Sequence, residues 1–277
     1  MKLSAAVVAS CVGSGLLVPV LFPQLTGGKS KHQLETPDSV PPGLQDNCRR
    51  VILQCGLNPN NISIYISDSY SSFSRGWRRN AVLGLSCRYQ LLHNPDHHLH
   101  MTIGGKRLDW QSEEGKQIRE IVQPSLEELQ FTLAHEIGHL RLYHHFTASL
   151  VVPFFLLSAH KVSLLAVNQV VSKLKQLLIR CGVYSTFAIL LFCSLIGIRR
   201  MLEFSADSYA ASQNVEYALG GISMMEKQLQ LEAITLQMLP GQQHQYNNWL
   251  TLHPSYNSRI CRLKRTMEDK YRDYRNI

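Results

Sequence analysis

From Leu3 to Phe22 the chain runs for 20 residues without a charge. A helix of that length rises about 30 Å, the thickness of a bilayer's hydrocarbon core. An uncleaved membrane anchor over 1–22 is the expectation, with a cleaved signal-like segment as the alternative. Lys2 alone is a thin basic start, and no small-x-small site follows Phe22. Residues 23–47 are rich in Pro, Gly, Ser and Thr without a period and read as a linker. Asn47 to Cys55 predicts a helix stopped by Gly56 and Asn58-Pro59. The strict alternation of Ile62 to Ser67 predicts a half-buried strand, and Ala81–Leu92 and Leu99–Ile103 predict further extended stretches. The turn between them, His93 to His98, reads as a solvated loop because Pro95 and Asp96 stand among its histidines.

Ser125 followed by Glu128 is a capping box. Leu126, Leu129, Leu133, Ile137 and Leu140 then recur at helical spacing, which predicts a helix reaching His144 or His145. Two apolar stretches follow. Phe146–Ala159 is uncharged for 14 residues, is interrupted by His160-Lys161 and resumes to Ser172. Cys181–Ile198 is uncharged for 18 and closes on Arg199-Arg200. The second is a membrane span. The first either crosses with His160 and Lys161 snorkelling or only dips into the bilayer. Met201 to about Leu239 is helical again, Pro240-Gly241 breaks it, and a basic helix follows Pro254. There is no internal repeat.

Composition agrees with a membrane protein. Of 277 residues 45% are apolar and only 17% charged, against roughly 25% in an average soluble domain. The net charge is +8, from 28 Lys+Arg and 20 Asp+Glu. Its arginines stand in pairs beside apolar runs, where lipid headgroups would meet them, so nucleic acid is the weaker partner. The seven cysteines show no CxxC or zinc-ribbon spacing. A Cys48–Cys55 bridge is conceivable, but an odd, scattered set favours free thiols.

The chemistry lies in His135-Glu136-Ile137-Gly138-His139, an HExxH. On a helix its histidines stand about 40° apart, so both imidazoles reach one ion, opposite the Leu126/Leu129/Leu133/Ile137 stripe. Two histidines and a water leave tetrahedral Zn²⁺ one ligand short. His145 would imitate a metzincin HExxHxxGxxH, but the glycine position is Leu142, and on a continuing helix His145 points about 80° from His135. Glu203, in Glu203-Phe204-Ser205-Ala206-Asp207, is the better candidate, with Asp207 about 40° away to act behind it. Two apolar crossings between the motifs return the chain to the side it left. One crossing would separate them.

HExxH, two hydrophobic segments and Glu-Phe-x-Ala-Asp together resemble the membrane zinc metallopeptidases (gluzincins) that include HtpX, the CAAX prenyl protease and the OMA-type protease. His253-Pro254 with Arg259 resembles the family's C-terminal His-Pro…Arg element, and Asn80-Ala81 its Asn-Ala element on the strand that pairs with substrate. The resemblance covers about residues 50–265. It departs from the pattern in the His-rich insert between Asn80 and Ser125 and in the broken first hydrophobic segment. It implies one Zn²⁺ per chain on His135, His139 and Glu203, and Glu136 as general base. Asp207 then holds a ligating histidine from behind, His253 and Arg259 stabilise the oxyanion, and Asn80 binds substrate.

The expected fold is α+β, mainly α. A zincin-like core, formed by 48–145 and 199–277, carries an N-terminal anchor and a hydrophobic hairpin, 146–198, between HExxH and ExxxD. The expected function is an integral-membrane zinc endopeptidase acting on membrane or misfolded proteins. A membrane-anchored scaffold or chaperone-like protein with an unused zincin fold is the alternative. Expected partners are a protein or peptide substrate and membrane lipids, without nucleic acid, and a homo-oligomer is compatible. The expected location is the bacterial inner membrane, or alternatively the mitochondrial one, as a multi-pass protein. Lys/Arg flank both the catalytic side and the Lys173/Lys175/Arg180 loop between the two segments, so the positive-inside rule leaves the orientation open.

Overall fold

The computed structural model describes residues 40–67, 71–94, 96, 102–103, 106–238 and 253–271. Segment 1–22, most of the linker, His97, His98 and Pro240-Gly241 lie outside the described residues.

Helix α1, Pro42–Gln54, opens five residues earlier than Asn47. Proline at the first helical position costs no hydrogen bond, since that N–H has no partner in the helix. One face, Leu44, Cys48, Val51 and Ile52, is buried. Gly56 (φ +70°) ends the helix, with the Gly56 and Leu57 amides donating back to Leu53 and Ile52. Only glycine takes that backbone without strain. Cys48 in the helix and Cys55 just after it are both free, and burial pushes Cys48 up to about 12 and Cys55 to about 11.

Strands β1 (Ile62–Ser67), β2 (Phe73–Trp77) and β3 (Asn80–Ser86) form a sheet in the order β1-β3-β2. β3 runs parallel to β1 and antiparallel to β2. It is buried from Ala81 to Ser86, which is why its sequence does not alternate. The extended stretch expected to Leu92 stops at Ser86, whose hydroxyl accepts from the Arg88 amide and opens a 3₁₀ turn, Cys87–Leu92. A small hairpin, β4 (Thr102–Ile103) with β5 (Lys106–Arg107), leads to α2, Glu113–Val122, capped by Ser112.

Helix α3, Leu126–Arg141, carries the HExxH, and its Ser125 cap accepts from the Glu128 amide at 3.2 Å. Contrary to the expected one-sided stripe, α3 is buried nearly all round, Glu128, His135 and Glu136 included, while Leu126 is exposed. Its neighbours come close enough to need glycine. A Cβ on Gly138 would lie 3.2 Å from Ala206 Cα, and one on Gly220 would lie 2.3 Å from the Glu127 carbonyl oxygen. The helix ends at Arg141, short of His144. Tyr143, with φ +56°, turns the chain, and α4 (His144–Val167) starts in a new direction.

α5 runs unbroken from Lys173 to Ala211, about 58 Å at 1.5 Å per residue. Arg199-Arg200 does not end it, because charge is no obstacle to a helical backbone; the break waits for Ser212–Asn214. The Asn214 side chain then accepts from Glu216 as α6 (Val215–Met238) opens. α4 and α5 lie antiparallel, with Phe155 against Phe187 (6.3 Å) and His160 Nδ1 3.3 Å from the Tyr184 hydroxyl. Their outer faces expose Phe154, Leu157, Leu165, Leu178, Ile189 and Phe192. Both are long and apolar enough to cross a membrane. α7, Tyr256–Tyr271, packs on α6 and the end of α5. The molecule is thus mostly helical with a small sheet. Its core lies where α1, α3, the sheet and the last turns of α5 meet α6 and α7.

Candidate metal centre

α3 supplies two histidines one turn apart, and α5 crosses α3 at Gly138 to supply Glu203 and Asp207. The Nε2 atoms of His135 and His139 are 3.1 Å apart. Glu203 Oε2 lies 3.6 Å from His135 Nε2, and Glu203 Oε1 3.8 Å from His139 Nε2. Zn²⁺ at about 2.0–2.1 Å from each donor of a tetrahedron sets donors roughly 3.3 Å apart. The two nitrogens are spaced as one edge of such a shell, with a Glu203 oxygen within 3.6–3.8 Å of each, and two nitrogen lone pairs 3.1 Å apart repel unless a cation or proton sits between them. The cluster could hold a metal ion.

Asp207 Oδ1 is 2.9 Å from His135 Nδ1. Arg259, on α7, donates to both oxygens of Asp207, at 2.8 and 2.7 Å. Burial would raise the Asp207 carboxyl, but the guanidinium fork outweighs it and holds it below the ordinary carboxylate range. Burial opposes a charge on His135 as well, yet the Asp207 and Glu203 carboxylates lift it to about 9 in the metal-free chain. Glu203, raised by burial, is drawn well down by His135 and His253. Glu136 is pushed up by burial, and its side chain bonds Ser74 of β2. His135, Glu136, His139, Glu203 and Arg259 line one cleft of about 1320 Å³, walled by Phe73, Ser74 and Phe131, with His253 at its mouth.

A family model for peptidase family M48 matches residues 114–267, more than half of the chain. The chain belongs to peptidase family M48. Membership points to a metallopeptidase, and the matched stretch runs from α2 into α7 and includes all four residues of the two-helix cluster. Transmembrane protein 177 of Xenopus laevis is also similar, at 27% identity over 60% of this chain and 58% of that protein. The chain therefore spans less than two thirds of that relative's length. Its name and the two apolar helices together point to membrane association.

Within this M48 chain the residues singled out in the sequence fall in three places. His135, Glu136, His139, Glu203 and Asp207 converge. His253 joins them with Nδ1 3.3 Å from Glu203 Oε1, its side chain 68% exposed. Arg259 stands behind them, its Nη2 3.9 Å from Glu203 Oε2 and its fork on Asp207. Asn80 lies elsewhere. It opens β3, the middle strand of the sheet, where it pairs with Trp77 of β2. The edge strand at the cleft is β2, Phe73–Trp77.

Two groups had no signal in the sequence. His144 is 5% exposed, with Nδ1 2.8 Å from His139 Nδ1. Glu128, fully buried, meets Lys227 at 2.7 Å and Ser223 at 3.0 Å, with Arg88 at 3.7 Å. His144 looked like part of a helix end, since nothing in Arg141-Leu142-Tyr143 marks a break; Glu128 looked like half of a cap.

Proposed function

We propose that this chain is an integral-membrane zinc endopeptidase with a zincin-type core. The observation that carries the reading is the convergence of His135 Nε2, His139 Nε2 and a Glu203 carboxylate at ligand spacing, with buried Glu136 in the same cleft. A zinc ion held by those three would polarise the scissile carbonyl and ease loss of a proton from water. Glu136, its carboxyl raised by burial, takes that proton and passes it to the leaving amine. An extended substrate lies along β2, the edge strand, and its backbone supplies the pairing. His253, at the exposed mouth, is placed to donate to the developing oxyanion. Arg259 acts through Asp207, holding the His135 ring in register.

The hairpin of α4 and α5 spans the bilayer and sets the cleft at its surface, where membrane or misfolded proteins are the substrates. The compartment is the bacterial inner membrane or, alternatively, the mitochondrial one.

Metal analysis of detergent-purified chain, with wild type and Glu136→Gln compared in a cleavage assay, tests the reading. One zinc per chain in both, and cleavage in wild type alone, is expected. Equal cleavage, or none in either, leaves a membrane-anchored scaffold in its place.

A further inference from the structure

His139 has two ring nitrogens, and both are engaged. Nε2 faces His135 and Glu203; Nδ1 faces His144 Nδ1 at 2.8 Å. The other nitrogen of His144 lies 3.0 Å from Ser205 Oγ, and that hydroxyl lies 2.9 Å from the Leu202 carbonyl. The hydrogens along this line follow from what each group can do. A carbonyl only accepts, so the one hydroxyl hydrogen of Ser205 points to Leu202. Ser205 Oγ then accepts from His144 Nε2–H. A neutral imidazole has one N–H, so His144 Nδ1 is an acceptor. The hydrogen between the two rings must come from His139 Nδ1. The lone pair of His139 is left on Nε2, the nitrogen turned toward the metal position.

Backbone geometry supports the same conclusion independently. Had α3 continued, His144 would point about 140° away from His139. The turn at Tyr143, φ +56°, brings it back to within 4.9 Å, ring centroid to ring centroid. A positive φ at a bulky residue is rare and costs about 1–3 kcal/mol, and such outliers gather where geometry serves a site.

We propose that His144 and Ser205 are positioning residues that hold His139 in its metal-binding tautomer and fix its ring. This rests on reading His135, His139 and Glu203 as the metal site. The two ligand histidines are thereby steadied differently, His135 by a charged pair, Asp207 with Arg259, and His139 by a neutral line ending on a main-chain carbonyl. That carbonyl belongs to the residue before Glu203, so the line closes a ring from one ligand to another. It also joins the first residue of α4 to the inner end of α5.

The test uses full-length chain in detergent with Ser205→Ala, Ser205→Thr and His144→Phe. Zinc affinity is measured by chelator competition, and histidine ¹⁵N shifts are recorded on the zinc-free protein. Wild type should show His139 protonated on Nδ1, and Ser205→Ala a mixture of tautomers. Ser205→Ala and His144→Phe should bind zinc about 10–100-fold more weakly, and Ser205→Thr, which keeps the hydroxyl, should stay close to wild type. Wild-type affinity in Ser205→Ala, or His139 protonated on Nε2 in wild type, overturns the proposal. If wild type takes up no zinc yet shows the tautomer and Ser205→Ala loses it, the line stands and the metal reading is what fails.

Discussion

At the scale of single residues, the proposed function gives holding the metal and doing the chemistry to different carboxylates. Glu203 has its oxygens at ligand distance from both histidines, so Glu203→Ala should lose zinc in metal analysis. Glu136→Gln should keep zinc and fold, because glutamine preserves the shape and the bond to Ser74. It lacks a basic oxygen, so peptide hydrolysis should fall roughly 10²–10⁴-fold. The titration of His135 has a definite sign. Its carboxylate neighbours raise it from 6.5 to about 9. In chelator-stripped protein the stabilisation is therefore full below pH 6.5 and lost as pH rises through about 9. Thermal unfolding of stripped chain at pH 6 and pH 9.5 checks this, and a higher midpoint at pH 9.5 refutes it. HExxH was legible because residue type and spacing state its chemistry, and Glu203 because it lies on a helix the chain can bring back. His144 was hidden behind a left-handed tyrosine, a conformation that no residue type there announces. The fork of Arg259 on Asp207 spans 52 positions and leaves no local trace.

Between elements, the crossings at Gly138 and Gly220 look alike and should behave differently. A methyl on Gly220 would meet the Glu127 carbonyl, about two turns along α3 from His135. Gly220→Ala should cost about 1–3 kcal/mol of stability by overpacking and leave zinc affinity unchanged in the folded fraction. A methyl on Gly138 presses on Ala206, between Glu203 and Asp207. Gly138→Ala should weaken zinc binding as well as lower the melting temperature, and competition titration beside thermal unfolding separates the two. The helices around these crossings were readable from caps and apolar spacing, but their ends were not. α3 stops early because Tyr143 turns, α5 runs late because Arg199-Arg200 leaves the backbone undisturbed, and the β2 segment Phe73–Trp77 has no alternation to betray it. A strand that gains its place by pairing with β3 carries that information in its partner's sequence.

For the molecule as a whole, the hairpin decides where the cleft can be. A cysteine placed at Arg141 and one at Arg199 should label from the same side of sealed vesicles, and one at Lys173 from the opposite side if α4 and α5 cross. Labelling of Arg141 and Arg199 from opposite sides would rule out the hairpin. Apolar faces as exposed as those of α4 and α5 show in any composition count, which is why membrane association was legible early. Pairing within the hairpin, through Phe155, Phe187 and Tyr184, was not.

The unbroken course of α5 makes it a lever. Its outer half presents apolar side chains to the surroundings and its inner end bears Glu203 and Asp207, with no hinge between. Glu203 lies about 20 Å along the axis from the middle of the apolar half, at 1.5 Å per residue. A tilt of about 5° there swings the Glu203 backbone by nearly 2 Å, and misplacement by 1 Å is enough to cost about 10²-fold in rate. In the proposed membrane-spanning arrangement, bilayer thickness, through the tilt it imposes, would be a throttle on the carboxylate proposed to complete the cluster. Reconstitution in lipids of graded chain length should tune turnover without altering the amount of folded protein.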